Sequence, residues 1–376
     1  MSMIHRAVAA AAVAAGMTAA AGLAMLPAAG AVAGSPQSFI GQFHKISNVA
    51  STVPRNGDVN PYGMVTIRQS RGKLRRGDVL VSNFNDEANL QGTGTTIVQV
   101  SPRGRRSLFA HVSPSGLPGA CPGGVGLTTA LAVVHGWVVV GSLPTSNGMS
   151  PTAQAGCLIV LDSQGRVRET FSGHGIDGPW DMTSLCAGPF AQLFVTNVLN
   201  GTVAADGAVV HRGTVLRLTL GFPAGQPPKL LALTRIGSGF AERTDPAALV
   251  VGPTGVGLGR GGTLYVADSV TNRIAAIPDA PLRQTSAGAG LTVTRNGALS
   301  TPLGLTIAPN GDVLTVNGGN GKIVEITPGG VQVATRQLDS SGSPAGAGAL
   351  FGLVVKGQGQ GIYYVDDATN KLRLLH

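Results

Sequence analysis

Short runs of strand-forming residues recur six times along the chain, and each run ends in Asn, Asp or Ser. Aliphatic, β-branched and aromatic residues favour strands, whereas a terminal Asn, Asp or Ser favours leaving the strand into a turn. The pattern therefore predicts six copies of one strand, at residues 79–83, 138–142, 193–197, 264–268, 313–317 and 362–366.

Each of these strands has a predicted partner before it and another after it. The upstream partners open at residues 61–64, 124–127, 179–182, 246–249, 302–305 and 350–353. The downstream partners cover residues 97–100, 158–161, 215–218, 274–277, 323–326 and 371–374, and a fourth strand follows in most copies. Four antiparallel strands repeated around an axis form the blades of a propeller, so the sequence predicts an all-β, six-bladed β-propeller.

The two ends of the chain complement each other in this scheme. The predicted blades cover about residues 60–112, 123–172, 178–236, 245–295, 301–338 and 349–376. The last copy stops after its third strand, and an orphan strand at 43–52 precedes the first copy. We expect the orphan strand to complete the last blade and close the ring, because this pairing removes two free sheet edges that would favour aggregation.

Composition agrees with an architecture of many short strands and tight turns. The 376 residues include 56 Gly and 23 Pro, and 12% are charged. Such a composition does not suit a helical or a disordered protein. Residues 38–376 show no change in composition, so the sequence predicts one domain there.

The N-terminal segment has the pattern of a secretory signal. Arg6 ends a short basic start, residues 7–33 carry no charge, and Ala31-Val32-Ala33 fits the small-x-small cleavage pattern. We therefore expect residues 1–33 to be a cleaved signal peptide, 34–37 a short linker, and the mature protein to be secreted or periplasmic. An uncleaved membrane anchor is the alternative, because an uncharged run of this length could span a bilayer.

The repeats resemble the NHL class of propeller repeats. The clearest copy is 302–328, PLGLTIAPNGDVLTVNGGNGKIVEITP, with Pro-x-Gly-apolar, then Gly-Asp, then an aliphatic strand ending in Asn. The same order of strands is similar to that of the gluconolactonase–regucalcin and strictosidine-synthase-like propellers. The resemblance covers about residues 38–376, and it implies the fold far more specifically than a function.

The resemblance also implies a test for catalysis. In gluconolactonase-like enzymes a divalent metal lies on the ring axis, and its oxygen ligands come from the openings of the inner strands. Hard divalent cations need several such ligands. The matching positions in this sequence are apolar or aromatic: Tyr62, Val125, Trp180, Ala247, Leu303 and Phe351. We therefore expect no metal and no cofactor on the axis, and we favour a binding protein over an enzyme.

Three functions remain open for the axial mouth and its loops. In the first, Tyr62, Trp180, Leu303 and Phe351 bind a small apolar molecule or a peptide, with Asp181 as a polar contact; the alternative is that these side chains simply fill the axis. In the second, the protein is a hydrolase or lyase with ligands drawn from polar residues near the openings: Asp58, Asn60, Asp181 and Asp245. In the third, the loops at 85–94 and 143–156 contact a partner protein.

Three cysteines are present in a chain that we expect to be exported, where disulfides persist. Cys121 precedes the inner strand of the second blade, and Cys157 begins the third strand of that blade. Because strands alternate in direction, both positions lie on the same face. We predict a Cys121–Cys157 disulfide, and we expect Cys186 to be free and buried.

Positive charge is concentrated in the first blade. The formal net charge is +9, and eight basic residues surround the first and third turns of blade one: Arg68, Arg71, Lys73, Arg75, Arg76, Arg103, Arg105 and Arg106. Alternating strand direction places both turns on one face, so we predict a single basic patch. A solvated surface is one interpretation, and attraction to an anionic envelope surface is the other. We expect no nucleic-acid partner, because no aromatic residues lie among the arginines, and we expect a monomer.

Overall fold

The computed structural model describes residues 38–376, and its regular structure is almost entirely β. In chain order the strands are β1 (Ile46–Ser51), β2 (Val59–Thr66), β3 (Val79–Asn85), β4 (Thr96–Val100), β5 (Arg106–His111), β6 (Leu127–Val134), β7 (Trp137–Ser142), β8 (Cys157–Leu161), β9 (Val167–Phe171), β10 (Gly178–Ala187), β11 (Phe190–Val198), β12 (Val210–Gly221), β13 (Lys229–Asp245), β14 (Leu249–Val251), β15 (Pro253–Leu258), β16 (Leu264–Asp268), β17 (Arg273–Ile277), β18 (Leu291–Arg295), β19 (Pro302–Ile307), β20 (Val313–Asn317), β21 (Lys322–Ile326), β22 (Gln332–Gln337), β23 (Leu350–Val355), β24 (Ile362–Asp366) and β25 (Lys371–Leu375). Short 3₁₀ turns occur at Ile40–Gln42, Ser150–Thr152, Gly357–Gly359 and Asp367–Thr369. No helix in the described part of the chain is long and apolar enough to cross a membrane.

The strands form six antiparallel sheets, one for each blade. Blades one to five begin with β2, β6, β10, β15 and β19, and each runs outward in sequence order. Blade six has the order β1-β25-β24-β23. Blade three carries β14 as a fifth strand. The all-β, six-bladed architecture that the sequence predicts is therefore confirmed.

The predicted closure of the ring is also present. β1 pairs with β25 antiparallel, from Ile46 opposite Leu375 to Ser51 opposite Lys371. The backbone of Lys45 both donates to and accepts from His376, at 2.9 and 2.8 Å. The N-terminal strand thus supplies the outer strand of blade six, and the two chain ends pair with each other rather than with another molecule.

Strand direction divides the ring into two faces. The inner strands begin on one face, which we call the upper face, and the loops joining second to third strands lie there too. The turns joining first to second and third to fourth strands lie on the opposite face, which we call the underside. Both faces follow from the antiparallel order within every blade.

Neighbouring inner strands approach one another so closely that glycine is required. A Cβ atom added to Gly304 would lie 2.0 Å from the carbonyl oxygen of Phe351, and one added to Gly352 would lie 2.2 Å from that of Tyr62. Real Cβ atoms do not make such contacts with backbone. The Gly of the Pro-x-Gly motif is therefore required because the backbones of adjacent blades lie too close together for a side chain.

The polar residues that end the second strands bond to the openings of neighbouring strands. Asn197 Oδ1 accepts hydrogen bonds from the backbone N–H of Asp177 and Gly178, both at 3.0 Å. Asp268 accepts from Arg273 Nε at 2.7 Å, and this ion pair is almost fully buried. These buried hydrogen bonds explain why Asn, Asp or Ser recurs at the end of the second strand of every blade: the residue stabilises the blade and need not take part in a functional site.

The first described residues are fastened to the underside of blade five. Glu325 is fully buried in β21, and it accepts hydrogen bonds from Phe39 N and Ile40 N at 2.7 and 2.8 Å. The Ser38 hydroxyl donates to the same carboxylate at 2.7 Å. These bonds hold the Ile40–Gln42 turn before the chain continues into β1.

Blade four begins later than the sequence predicts. β13 runs for 17 residues to Asp245 and then turns back into β14, which pairs with its last three residues. Residues 246–249, predicted to open the inner strand of blade four, belong instead to this hairpin. The inner strand β15 begins at Pro253, where Pro-Thr-Gly-Val repeats the motif correctly. We call residues 243–251 the crossing hairpin.

Candidate functional site

The centre of the ring, which we call the hub, is filled by large apolar side chains. Tyr62, Trp180, Leu303 and Phe351 are each at most 2% exposed. The Tyr62 ring stacks on Phe351 with centroids 3.8 Å apart, and the Trp180 ring lies 6.5 Å from Tyr62. The structure thus brings together the four residues that the sequence places at the axial mouth, and it buries them all.

Two of the six axial positions expected from the sequence are wrong. Val125 lies before β6 and packs into an outer core between blades. Ala247 lies at the exposed tip of the crossing hairpin. The strand pairing places Thr128 and Thr254 at the equivalent points of blades two and four. The errors arise because Gly124-Val125-Gly126-Leu127 and Pro246-Ala247-Ala248-Leu249 resemble the opening motif, whereas the inner-strand irregularities lie further along the chain.

The upper end of the hub is covered by three segments that bond to one another. The Ser150 hydroxyl donates to the carbonyl of Leu249 at 2.8 Å, and Gln91 Nε2 donates to that of Pro246 at 2.7 Å. Leu249 is fully buried in the same apolar cluster as Trp180. The loops at 85–94 and 143–156, which the sequence offers as a partner surface, therefore contact each other and the crossing hairpin.

Asp181 is a buried carboxyl group beside the hub. Its Oδ1 accepts from the N–H of Met182 at 2.8 Å, and its Oδ2 accepts from that of Val256 at 3.1 Å. Burial raises the pKa of Asp181 to about 8, although both N–H groups favour the charged form. Because each oxygen already has a backbone partner, Asp181 joins blade three to blade four.

The remaining polar candidates near the strand openings serve the fold in different ways. Asp58 Oδ2 accepts from Thr95 N and from the Thr96 hydroxyl, both at 2.8 Å. Asp245 forms an ion pair with Arg243 at 2.8 Å. Both carboxylates are therefore already bonded to neighbouring groups.

Tyr62 and Asn60 are two buried polar side chains at the hub. Asn60 is the polar neighbour of the Tyr62 hydroxyl, but the hydroxyl and Asn60 Oδ1 form no well-aligned hydrogen bond. Burial raises the pKa of Tyr62 well above its ordinary value, and the Asp367 carboxylate adds to the effect. Burial also raises the pKa of Asp367 to about 7. Sequence reasoning identified Asn60 but missed Asp367, whose only sequence signal is its position directly after a strand-ending Asp.

These residues do not fit a divalent cation on the axis. Calcium and magnesium take six or more oxygen ligands, most from carboxylates and carbonyls that converge on one point. The axial positions hold hydrocarbon, aromatic and threonine side chains, and Asp181 is already bonded on both oxygens. Among residues 38–376 no group of three or more His, Cys, Asp and Glu side chains is arranged to hold a metal ion.

The eight basic residues named in the sequence lie in or beside the two underside turns of blade one. All eight are exposed. Four of them line one groove of about 310 Å³, which we call the lower groove. Its lining residues are Lys73, Arg75, Gln99, Arg105, Arg106, Ser107, Leu108 and Phe109. Arg71 instead reaches blade two, where it donates to the carbonyl of His135 at 2.6 Å.

A second groove lies beside the first and was not foreseen from the sequence. It has a volume of about 480 Å³, and we call it the upper groove. Its lining residues are Pro54, Arg55, Asn56, Thr96, Arg106, Ser107, Leu108 and His111. Residues 54–56 belong to the segment that joins β1 to β2, so the groove depends on the N-terminal strand that closes the ring.

The cysteines fall into a bonded pair and a free thiol. The Cys121 and Cys157 sulfur atoms are joined in a disulfide, with Cα atoms 5.1 Å apart. That this pair is oxidised in the native protein stays a prediction, and a count of free thiols tests it. Cys186 is free, but the expectation that it is buried is wrong. Cys186 lies at the underside end of β10, where the turn between β10 and β11 is exposed.

The protein is similar to solved structures in its fold, but its sequence matches no family model and no curated protein. A gluconolactonase from Xanthomonas campestris has 13% identity and a TM-score of 0.53, covering 88% of both chains. A luciferin-regenerating enzyme has 11% identity and a TM-score of 0.52, covering 88% of this chain and 95% of its own. A streptogramin B lyase has 15% identity and a TM-score of 0.50, covering 88% and 97%. At such identities the likeness establishes the fold alone: the chain is a six-bladed β-propeller of the architecture found in the gluconolactonase, the lyase and the luciferin-regenerating enzyme.

Proposed function

We propose that this protein is an exported, non-catalytic binding propeller that attaches to anionic partners through the underside of blade one. The observation that carries the proposal is the convergence of Lys73, Arg75, Arg105 and Arg106 on the lower groove. No acidic side chain is among the residues that line it. Asp78, which interacts with Arg75 and Arg105, is buried and bonded to Gln99 at 2.9 Å.

Concentrated charge of this kind attracts an anionic surface over a limited range. Like-charged side chains on a rim raise the local concentration of anions and speed their association. Salt screens this attraction, and at 0.1 M ionic strength the screening length is about 10 Å. The hub cannot supply an equivalent surface, because its side chains are buried under the crossing hairpin.

Binding to lipid vesicles tests the proposal. We expect the protein, from residue 38 onward, to cosediment with vesicles of phosphatidylglycerol and phosphatidylcholine at low salt and to be released by added NaCl. Vesicles of phosphatidylcholine alone should not bind it. The double variant Arg105→Glu with Arg106→Glu should lower binding at least about tenfold, because each basic residue near an anionic membrane contributes about 1 kcal/mol.

A matched variant separates local charge from net charge. Lys229→Glu with Arg295→Glu makes the same change in net charge at exposed positions of blades three and four. We expect it to bind anionic vesicles like the unchanged protein. Equal loss of binding in both double variants, or binding that ignores salt, would contradict attachment through blade one.

The alternative is a gluconolactonase-like hydrolase or a lyase with a divalent metal at the propeller axis. It requires several oxygen ligands in the hub, where the chain carries Tyr62, Trp180 and Phe351. Elemental analysis of the purified protein distinguishes the two functions. Stoichiometric calcium, magnesium, manganese or zinc would favour the enzyme.

A further inference from the structure

The two grooves of blade one meet on its outermost strand. β5 pairs with β4 on its inner side and is the outer strand of the sheet. Arg106, Ser107 and Leu108 line both grooves. The grooves are therefore two halves of one depression, which extends from the underside turns to the segment at 54–56.

The two halves differ in chemistry. The lower groove is rich in cationic nitrogen atoms from Lys73, Arg75 and Arg105. The upper groove is lined by Pro54, Leu108 and six polar residues, and carbon atoms of these side chains form most of its accessible surface. Arginine can lay its methylene groups on apolar surface while its guanidinium stays in water. One half thus suits an anionic group, and the other suits a hydrocarbon chain.

Leu108 lies where the halves join. It is 52% exposed, although it belongs to a strand whose next two residues are buried. A single exposed leucine is ordinary on a protein surface. Here, however, it is one of three residues shared by both grooves, so a ligand that spans them must lie across it.

We propose that this depression binds a single-chain anionic amphiphile, with its headgroup in the lower groove and its hydrocarbon chain across Leu108 in the upper groove. The proposal rests on the proposed function, because the same cations hold the anion. The upper groove, at about 480 Å³, has the volume of an ordinary small-molecule site. A phosphate headgroup can accept several charge-assisted hydrogen bonds from the Arg and Lys side chains.

Alkyl phosphates of different length test the two halves separately. Isothermal titration of the protein from residue 38 onward with decyl phosphate, below its micelle concentration, should show saturable binding. Hexyl phosphate should bind about tenfold more weakly or worse, because it loses four methylene groups that the upper groove partly buries. Inorganic phosphate should bind more weakly than either.

Substitutions of two leucines with similar exposed fractions test where the hydrocarbon chain of the ligand binds. Leu108→Ser should weaken decyl phosphate about fivefold and inorganic phosphate hardly at all, because it removes part of the apolar surface. Leu231→Ser is the control, since Leu231 is 55% exposed on β13, the corresponding outer strand of blade three. We expect this control to leave the affinity unchanged.

The outcomes separate this proposal from the proposed function. Equal affinity for decyl and hexyl phosphate, or equal loss in both leucine variants, would overturn the amphiphile site while vesicle binding stood. Absence of binding to anionic vesicles and to every phosphate would overturn both. A chain-length dependence that becomes smaller in Leu108→Ser and stays unchanged in Leu231→Ser would support the site.

Discussion

The hub and the depression on blade one contain similar side chains, but the hub buries them and the depression leaves them exposed. Both contain large apolar groups beside ionisable ones. In the hub, Tyr62 and Phe351 stack and are covered, and burial raises the pKa of the neighbouring Asp181 to about 8. On blade one, Leu108 and Arg106 remain exposed to solvent. The centre of the ring is core in this chain, whereas the basic and apolar side chains at the rim of blade one are exposed.

Burial explains why the two regions should respond differently to change. A side chain in the hub contributes through apolar surface removed from water and through dense packing. An exposed side chain on the rim contributes little to stability and can act on whatever approaches it. Substitutions in the hub should therefore alter unfolding and spare binding, and those on the rim should do the reverse.

The largest effect is expected from removing the strand that supports both regions. Deleting residues 38–53 takes away β1, which pairs with β25, and leaves residues 54–56 without their anchor. We expect loss of cooperative unfolding, followed by aggregation through the open edges. Circular dichroism melting and light scattering measure this result. If the shortened protein melts like the longer one, ring closure does not hold the domain together.

Phe351→Ala should affect the hub alone. Phe351 is 1% exposed and stacks on Tyr62, so its removal should lower the free energy of unfolding by about 3–5 kcal/mol. Binding of anionic vesicles should stay the same in the folded variant. Urea denaturation gives the first quantity. Phe190→Ala is the control, because Phe190 is 46% exposed. A comparable loss in that control would show that the hub is not special.

Asp181→Asn should change how stability depends on pH. The folded pKa of Asp181, about 8, lies above the ordinary value of 3.8. Between these values the folded protein keeps a proton that the unfolded chain releases, so the free energy of unfolding falls as pH rises from about 4 to about 8. Urea denaturation at several pH values should show a shallower fall in the variant. Identical slopes would mean that Asp181 is ionised in the fold.

Arg105→Glu with Arg106→Glu should give the smallest change in stability. Both side chains are exposed, so we expect the free energy of unfolding to change by no more than about 0.5 kcal/mol. The same variant should lose most of its binding to anionic vesicles. Thermal melting beside vesicle cosedimentation measures both. A large drop in melting temperature would make the arginines part of the fold rather than a binding surface.

The sequence predicted the repeats well wherever local patterns decide the structure. In blade five, 302–328 contains every turn and strand signal, and β19, β20 and β21 form there. Blade four misled the prediction because Pro246 imitates a strand opening. Whether such a motif starts an inner strand depends on the long outer strand β13, which carries the chain past the expected start of the blade.

The candidate sites were less accessible to sequence reasoning. The eight basic residues could be placed on one face, because strand alternation alone fixes the side of each turn. The upper groove could not be foreseen, since it joins residues 54–56 to β5 across the sheet. Likewise, composition at the strand openings identified Tyr62, Trp180, Leu303 and Phe351, but no local pattern showed that the crossing hairpin covers them.

The fastening of Ser38 to Glu325 also links two blades. Glu325 lies in β21 of blade five, whereas the chain continues from the Ile40–Gln42 turn into β1 of blade six. The boundary between the last two blades is consequently held at two places, by the hydrogen bonds on Glu325 and by the pairing of β1 with β25. Detaching β1 from β25 would therefore not by itself release the first described residues from blade five.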